Sequence, residues 1–282
     1  MLACVLSLPT AAASLLPLLP TSPDEMVHRA ALSVGRASQD GVLRQVVKVI
    51  IPVDPRANQV LGASASMGVN GDPRAGGLMQ QFPIAMALGR SILQRVTGSH
   101  HSAITDLVLD ADDSCGLILA QGATPDQDSA CMVFPGCNQI DHLEHVDMMT
   151  SRRLLCLVNP QFKYIDDFNM WERGRAQAVI FDRGYEMTYA FEQFACRGED
   201  VKLVCEYGMG WRAFVLLDDK ATEGVPLHEG CLPERPDYYW LEAQINQQHP
   251  EPRWSRVLRQ GSKKRSKDDG KRFLQRGDNE DD

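Results

Sequence analysis

The clearest pattern along the chain is an alternation of apolar and polar positions that begins at Tyr185. Tyr185, Met187, Tyr189 and Phe191 fall on one face and Glu186, Thr188, Ala190 and Glu192 on the other, the period of a half-buried strand. After the polar turn Cys196-Arg197-Gly198-Glu199-Asp200 the pattern resumes, with Val201, Leu203, Cys205 and Tyr207 opposed to Lys202 and Glu206. Gly208-Met209-Gly210 then permits a tight reversal into Trp211 to Leu217, which predicts an antiparallel meander. A closing helix starts at Arg235-Pro236-Asp237-Tyr238 and stops at His249-Pro250-Glu251-Pro252, leaving Trp254 to pack back on the sheet.

Upstream, the period lengthens. Ser22-Pro23-Asp24-Glu25 supplies a cap, a proline at the first helical position and a carboxylate three residues on, and Met26, Val27, Ala30, Ala31 and Val34 give a helical apolar face. The run Val42 to Val53 reads as a buried strand, and Leu78 to Val96 as a second helix with Pro83 near its start. Short strands are predicted at 106–109, 117–119, 130–134, 153–158 and 176–181, with a helix from Gln139 to Thr150. Apolar strands separated by helices or loops predict an α/β fold: a mainly parallel, Rossmann-like layered sheet, extended at one edge by the C-terminal antiparallel meander.

Composition adjusts this picture at its ends. With 282 residues, 44% hydrophobic and 23% charged, the chain can bury one sizeable core, so one domain over 22–260 is the default and two domains the alternative. Residues 1–21 are apolar, free of lysine and arginine and broken by Pro9, Pro17 and Pro20, which favours a targeting or leader segment over a membrane anchor. From 261 to 282 the chain carries seven basic and six acidic residues with almost no apolar content, the composition of a disordered charged tail. The net charge of -8 argues against nucleic acid as the main partner. Eight cysteines without a CxxC pair read as buried reduced thiols rather than a disulfide framework.

Candidate chemistry is sparse. Glycines concentrate between 54 and 77, but no P-loop lysine follows them; Gly76 and Gly77, just ahead of a helix, are the candidate anion site. His142 and His145 stand three apart, not the four of a zincin helix, so no metal is assigned. His100 and His101 read as loop residues, and Asp112-Asp113, Asp166-Asp167 and Asp218-Asp219 as turn formers. In open α/β sheets ligands bind outside the carboxyl ends of the strands, which makes Asn138, Gln139, Asn159 and Gln161 the candidate cleft residues. No catalytic residue and no cofactor emerges from these motifs.

In order and spacing, several of these segments resemble a plastid and cyanobacterial family, domain of unknown function 1995. The resemblance rests on Ser22-Pro23-Asp24-Glu25, Gly76-Gly77-Leu78-Met79-Gln80-Gln81-Phe82, Phe134-Pro135-Gly136-Cys137-Asn138-Gln139 and Leu157-Val158-Asn159-Pro160-Gln161-Phe162. It continues through Phe181-Asp182-Arg183-Gly184, Phe191-Glu192, Arg197-Gly198, Trp211 and Arg235-Pro236-Asp237-Tyr238. Members resemble accessory factors for photosystem II assembly, and related domains occur fused to plastid adenylate kinases. The resemblance therefore implies a chloroplast location, with cytoplasmic as the alternative, and a non-enzymatic factor that engages a protein partner at the thylakoid without an integral membrane span. Tyr238, Tyr239, Trp240, Leu241 and Ile245 are the surface that motivates the protein-binding expectation. The competing expectation is a domain that binds a small phosphorylated or nucleotide ligand near Asn138, Gln139 and Asn159.

Overall fold

A computed structural model describes residues 19–51, 77–98, 103–122, 124–216 and 224–253, together with 255, 256, 258 and 259. Most of the leader, most of the glycine-rich loop with Gly76, the His100-His101 pair, Asp218-Asp219, Trp254 and the charged tail lie outside the described residues.

The chain runs α1 (Pro23–Gln39), β1 (Arg44–Lys48), α2 (Leu78–Thr97), β2 (Ala103–Asp110), β3 (Cys115–Gln121), β4 (Ser129–Val133), α3 (Ile140–Thr150) and β5 (Leu154–Val158). It continues through α4 (Arg173–Ala176), β6 (Glu186–Cys196), β7 (Glu199–Glu206), β8 (Gly210–Leu216), β9 (Val225–Pro226) and α5 (Tyr238–Gln248). The strands form one sheet in the order β2-β3-β4-β5-β1-β6-β7-β8-β9. Helix α1 begins where the sequence sets its cap: the Ser22 hydroxyl accepts the Glu25 amide at 3.1 Å.

Only the centre of this sheet is parallel. β4, β5, β1 and β6 run together, whereas β2, β3 and the strands from β7 to β9 pair antiparallel, so most strand pairings are antiparallel. The expectation of a mainly parallel sheet is corrected here, and connection length is the reason. A parallel crossover needs a dozen or more residues. The turn at 111–114 and the link at 122–128 are too short for one and return as hairpins.

The strand expected at 176–181 is also corrected. It is helical, with α4 running on into a π-helical turn over Gln177–Phe181. Ala176, Val179 and Ile180 are buried while Gln177 and Ala178 are exposed, so burial follows a spacing of three and four rather than two. The three buried residues pack against Leu155 and Leu157 of β5 and against Phe168.

Helices cover both faces of the sheet. On one face, α1 and α2 bury Met26, Ala30, Leu88 and Ile92 against Val47, Cys156, Tyr189 and Phe214. On the other, α3 and α4 cover β3 to β5, and α5 inserts Leu241 and Ile245 over β7 and β8. The meander is present, but its first strand does not keep one face. The β1–β6 register shifts between Val46 and Val47, so that Met187 and Tyr189 lie opposite consecutive β1 residues. Met187 therefore packs under α5, while Tyr189 and Phe191 enter the core beneath α1 and α2. The shift places Thr188 within reach of Gln45, whose Oε1 accepts the Thr188 hydroxyl at 2.9 Å with both residues buried.

Among the described residues no helix is long and apolar enough to cross a membrane. Seven of the cysteines are described; all are free thiols and five are buried.

Candidate functional site

Two of the parallel strands end in an unusual backbone. Phe134, just past β4, and Asn159, just past β5, both adopt left-handed conformations, with φ of 53° and 49°. The Phe134 amide still donates to the Val158 carbonyl and the Asn159 amide to the Val47 carbonyl, each at 2.9 Å. The chain then leaves the sheet. Asn159 spends its whole side-chain amide on this exit: Oδ1 accepts the Val49 amide at 2.8 Å and Nδ2 donates to the Val49 carbonyl at 2.9 Å.

The departure of these strands leaves a cleft of about 450 Å³ at the carboxyl ends of β1, β4, β5 and β6. Phe134, Asn159 and Gln161 form one wall, Phe191 to Phe194 of β6 the other, Lys48 and Val49 the floor, and Leu78, Gln81 and Arg235 the rim.

Its polar groups are not evenly matched. Glu192 binds Lys48 Nζ through Oε1 at 3.1 Å and receives Arg235 Nε and Nη2 on Oε2 at 2.9 and 2.8 Å. Burial disfavours the charged Glu192 carboxylate, but Lys48 and Arg235 outweigh it and hold the group below its ordinary range. Two cations share this single carboxylate, which leaves the constellation one positive charge in surplus. The Arg235 guanidinium is steadied by Phe194 and Trp211, whose ring centres lie 5.7 and 5.9 Å away.

Two further features add to that surplus. Helix α2 opens at the rim with Gly77 as its N-cap, no side chain caps it, and its first turn holds no acidic residue. Its positive dipole end lies beside the cleft residues Leu78 and Gln81, with no capping side chain among the described residues. On β6, Gln193 lines the cleft while both its amide nitrogen and oxygen are buried without a hydrogen-bond partner. An arrangement with surplus donors and a surplus cation is suited to binding an anion; Lys48, Arg235 and the α2 terminus are the groups that can hold it.

The four candidate cleft residues divide. Asn159 and Gln161 lie at the cleft, Asn159 with its amide committed to Val49 and Gln161 donating to the Asn159 carbonyl at 2.7 Å. Asn138 and Gln139 turn away to the β2–β3 hairpin. There Asn138 Nδ2 donates to Asp113 at 3.0 Å, and Gln139 Nε2 donates to Asp113 and Asp110 at 2.9 and 3.2 Å. Gln139 also accepts the Gly136 amide at 2.9 Å, which ties off the chain after β4. Of the candidate anion site, Gly77 is the α2 cap beside cleft residues Leu78 and Gln81. His142 and His145 are exposed on α3, and no group of three metal-ligating side chains is present among the described residues.

Lys48, Glu192, Gln193 and Arg235 are not among the site residues that the sequence suggests, although Glu192 and Arg235 stand in segments that carry the family resemblance and Lys48 gives a signal of its own. A lysine inside the run Val46-Val47-Lys48-Val49-Ile50-Ile51 is a charge in a strand that should be buried on both faces.

A layered α/β domain with a crevice at the carboxyl ends of its parallel strands is the class that this geometry defines. The chain belongs to the family described as Domain of unknown function (DUF1995), whose sequence profile matches residues 20–242. No curated protein and no solved structure shows significant similarity to it.

Proposed function

We propose that this domain is a binding module that holds a small phosphorylated ligand in the cleft at the ends of β1, β4, β5 and β6. The observation that carries the reading is the charge surplus: Lys48 and Arg235 share one carboxylate beside an uncapped helix terminus. The aromatic walls, Phe134, Phe191 and Phe194, suit an organic body attached to the anion. A thermal-shift screen of sugar phosphates and nucleotides tests this. A ligand at ~100 times its dissociation constant adds about 2.7 kcal/mol, a rise of roughly 5–10 °C for a domain of this size. Absence of a shift with every phosphorylated compound overturns the reading.

A second reading is favoured by a different observation. Met170 and Trp171 are 71% and 86% exposed in the turn before α4, and Tyr239 on α5 is 80% exposed. Large apolar side chains held in water support a role in protein docking, consistent with a plastid accessory factor that engages a thylakoid-associated partner. Of the closing-helix residues expected to form that surface, Leu241 and Ile245 are core, which leaves Tyr238 and Tyr239 as its exposed members. Affinity purification from plastid membranes with wild type and with Trp171→Ala separates the readings. Recovery of the same partner with both proteins removes Trp171 from this role, and recovery of free domain alone counts against docking altogether.

A further inference from the structure

The two edges of the sheet are finished differently. At one, β9 is two residues long and ends in Pro226, and the start of β8 is covered by a bridge from Trp211 to Leu232. Short strands and proline close a sheet edge to further pairing. At the other edge β2 runs for eight residues, Ala103–Asp110, with no proline, glycine or lysine among them. Its neighbours β3 and β4 are buried almost throughout, whereas Thr105, Asp106, Leu107 and Val108 are all exposed. In the β2–β3 register Val108 lies opposite Gly116 on the α2 face and Leu107 opposite Leu117 on the other. They are 61% and 42% exposed, so apolar side chains stand in water on both faces of an open strand. The carboxylates of the strand are occupied within the chain: Asp106 pairs with Arg90 Nη1 at 2.8 Å, and Asp110 accepts the Asp112 and Asp113 amides at 3.0 Å.

We infer that β2 is a self-association edge: two copies of the chain pair their β2 strands antiparallel about a twofold axis at Leu107, joining two sheets into one. An open edge of this length is matched by a partner with an equally long open strand, and the chain supplies one itself. Charge selects the register, because like charges directly opposite each other destabilise a strand pair. Centred on Asp106, the pairing sets that carboxylate against its own copy; centred on Val108, it sets Asp106 against Asp110. Centred on Leu107, it sets Asp106 against Val108, Thr105 against Leu109 and Asp110 against Ile104, so no carboxylate faces another. Leu107 meets Leu107 at the axis. The pairing uses β2 of both copies and the opposite edge is short, so assembly closes at a dimer. β2 runs parallel to β4, so the two clefts open at opposite ends of the dimer. The dimer is independent of what the cleft binds.

Sedimentation velocity on the full chain between about 1 and about 100 µM tests this, and a monomer–dimer equilibrium is expected in that range for an interface no larger than the standard size. Leu107→Lys puts two ammonium groups at the axis, and Val108→Asp puts a carboxylate opposite Asp106 of the second copy. Each is expected to raise the dissociation constant by about tenfold. Val108→Lys places an ammonium opposite that same Asp106 and is expected to stay within about threefold of wild type. Wild type that remains monomeric throughout overturns the inference. So does a dimer that either Leu107→Lys or Val108→Asp leaves intact, or one that Val108→Lys disrupts as much as Val108→Asp, the behaviour of apolar packing on one face. Where a variant does not fold, hydrogen exchange of wild type decides: amides of 103–110 are expected to gain protection as concentration rises, and equal exchange at both ends of the range overturns the pairing.

Discussion

Strand β1 carries a basic residue at each end, and the two live in opposite circumstances. At the amino end Arg44 is 6% exposed and saturated: Nε donates to Asp147 Oδ1 at 2.6 Å, Nη1 to the Arg153 carbonyl at 2.7 Å and Nη2 to the Ser151 carbonyl at 3.0 Å. At the carboxyl end the Lys48 side chain is a third exposed, and its ion-pair partner is a glutamate that it shares with Arg235. The two residues stand on the same side of one strand. One end of the sheet is closed by a cation whose donors are consumed by the fold; at the other, cationic capacity exceeds what the protein uses. Charge alone therefore does not mark a site. The mark is a donor that the protein's own acceptors leave unsatisfied.

The difference should be largest in stability. Arg44→Met strands a buried Asp147 whose remaining ionic partner is the half-exposed Arg183. Breaking a buried pair from one side costs about 3–5 kcal/mol, and with Arg183 still in place about 3 kcal/mol is expected. In urea or thermal unfolding this lowers the melting temperature by roughly 6–12 °C. A loss under about 1 kcal/mol would show that the Arg44 network contributes no more than an exposed ion pair.

Asn159 sits at the cleft yet belongs, in these terms, with Arg44. Both bonding atoms of its amide are consumed by Val49, so Asn159→Ala leaves the backbone donor and acceptor of the residue just past β1 unpaired. The expected cost is about 2 kcal/mol, read by urea unfolding, with phosphate affinity changed by less than about threefold in the protein that remains folded. Loss of ligand binding with stability intact would reverse the assignment and make Asn159 a contact residue.

How much of this was legible in the sequence depended on which forces decide each feature. The α1 cap, the meander and the buried strands at β1, β4 and β5 are local, set by side-chain period and by the chemistry of Ser22 and Pro23. The direction of β2 and β3 was written in loop length, and the short links at 111–114 and 122–128 carry it. The helix at 176–181 was hidden because a short apolar run fits a strand and a buried helical turn equally well. Lys202 illustrates the deepest limit. Alternation put it on a polar face, but α1 and α2 cover that face, and no local pattern reports what a distant helix will bury. Asn138 and Asn159 both follow strands in the same way; only the third dimension sends one to Asp113 and the other to the cleft.

The smallest effects belong to the Lys48 end, where they separate stability from binding. The Lys48 and Glu192 side chains are 33% and 15% exposed, and Arg235 still holds the carboxylate when Lys48 is removed, so Lys48→Met should cost about 1 kcal/mol in unfolding while weakening binding of a phosphorylated probe by about tenfold. Glu192→Gln should act in the opposite direction on binding, since it releases Lys48 and Arg235 to the ligand, with a severalfold gain in affinity and a slight loss of stability. Acid sharpens the contrast. The folded-state pKa of Glu192 lies below its ordinary value of 4.5, so the unfolded chain takes up a proton first as pH falls. The stability that Glu192 supplies is thus complete above that value and is lost as pH drops through the lower folded value. Wild type should lose this increment in acid and Glu192→Gln should not, so their unfolding curves converge as pH falls below 4.5. Curves that stay parallel across that range would mean that Lys48 and Arg235 do not hold the carboxylate, and the surplus of charge assigned to the cleft would have to be recounted.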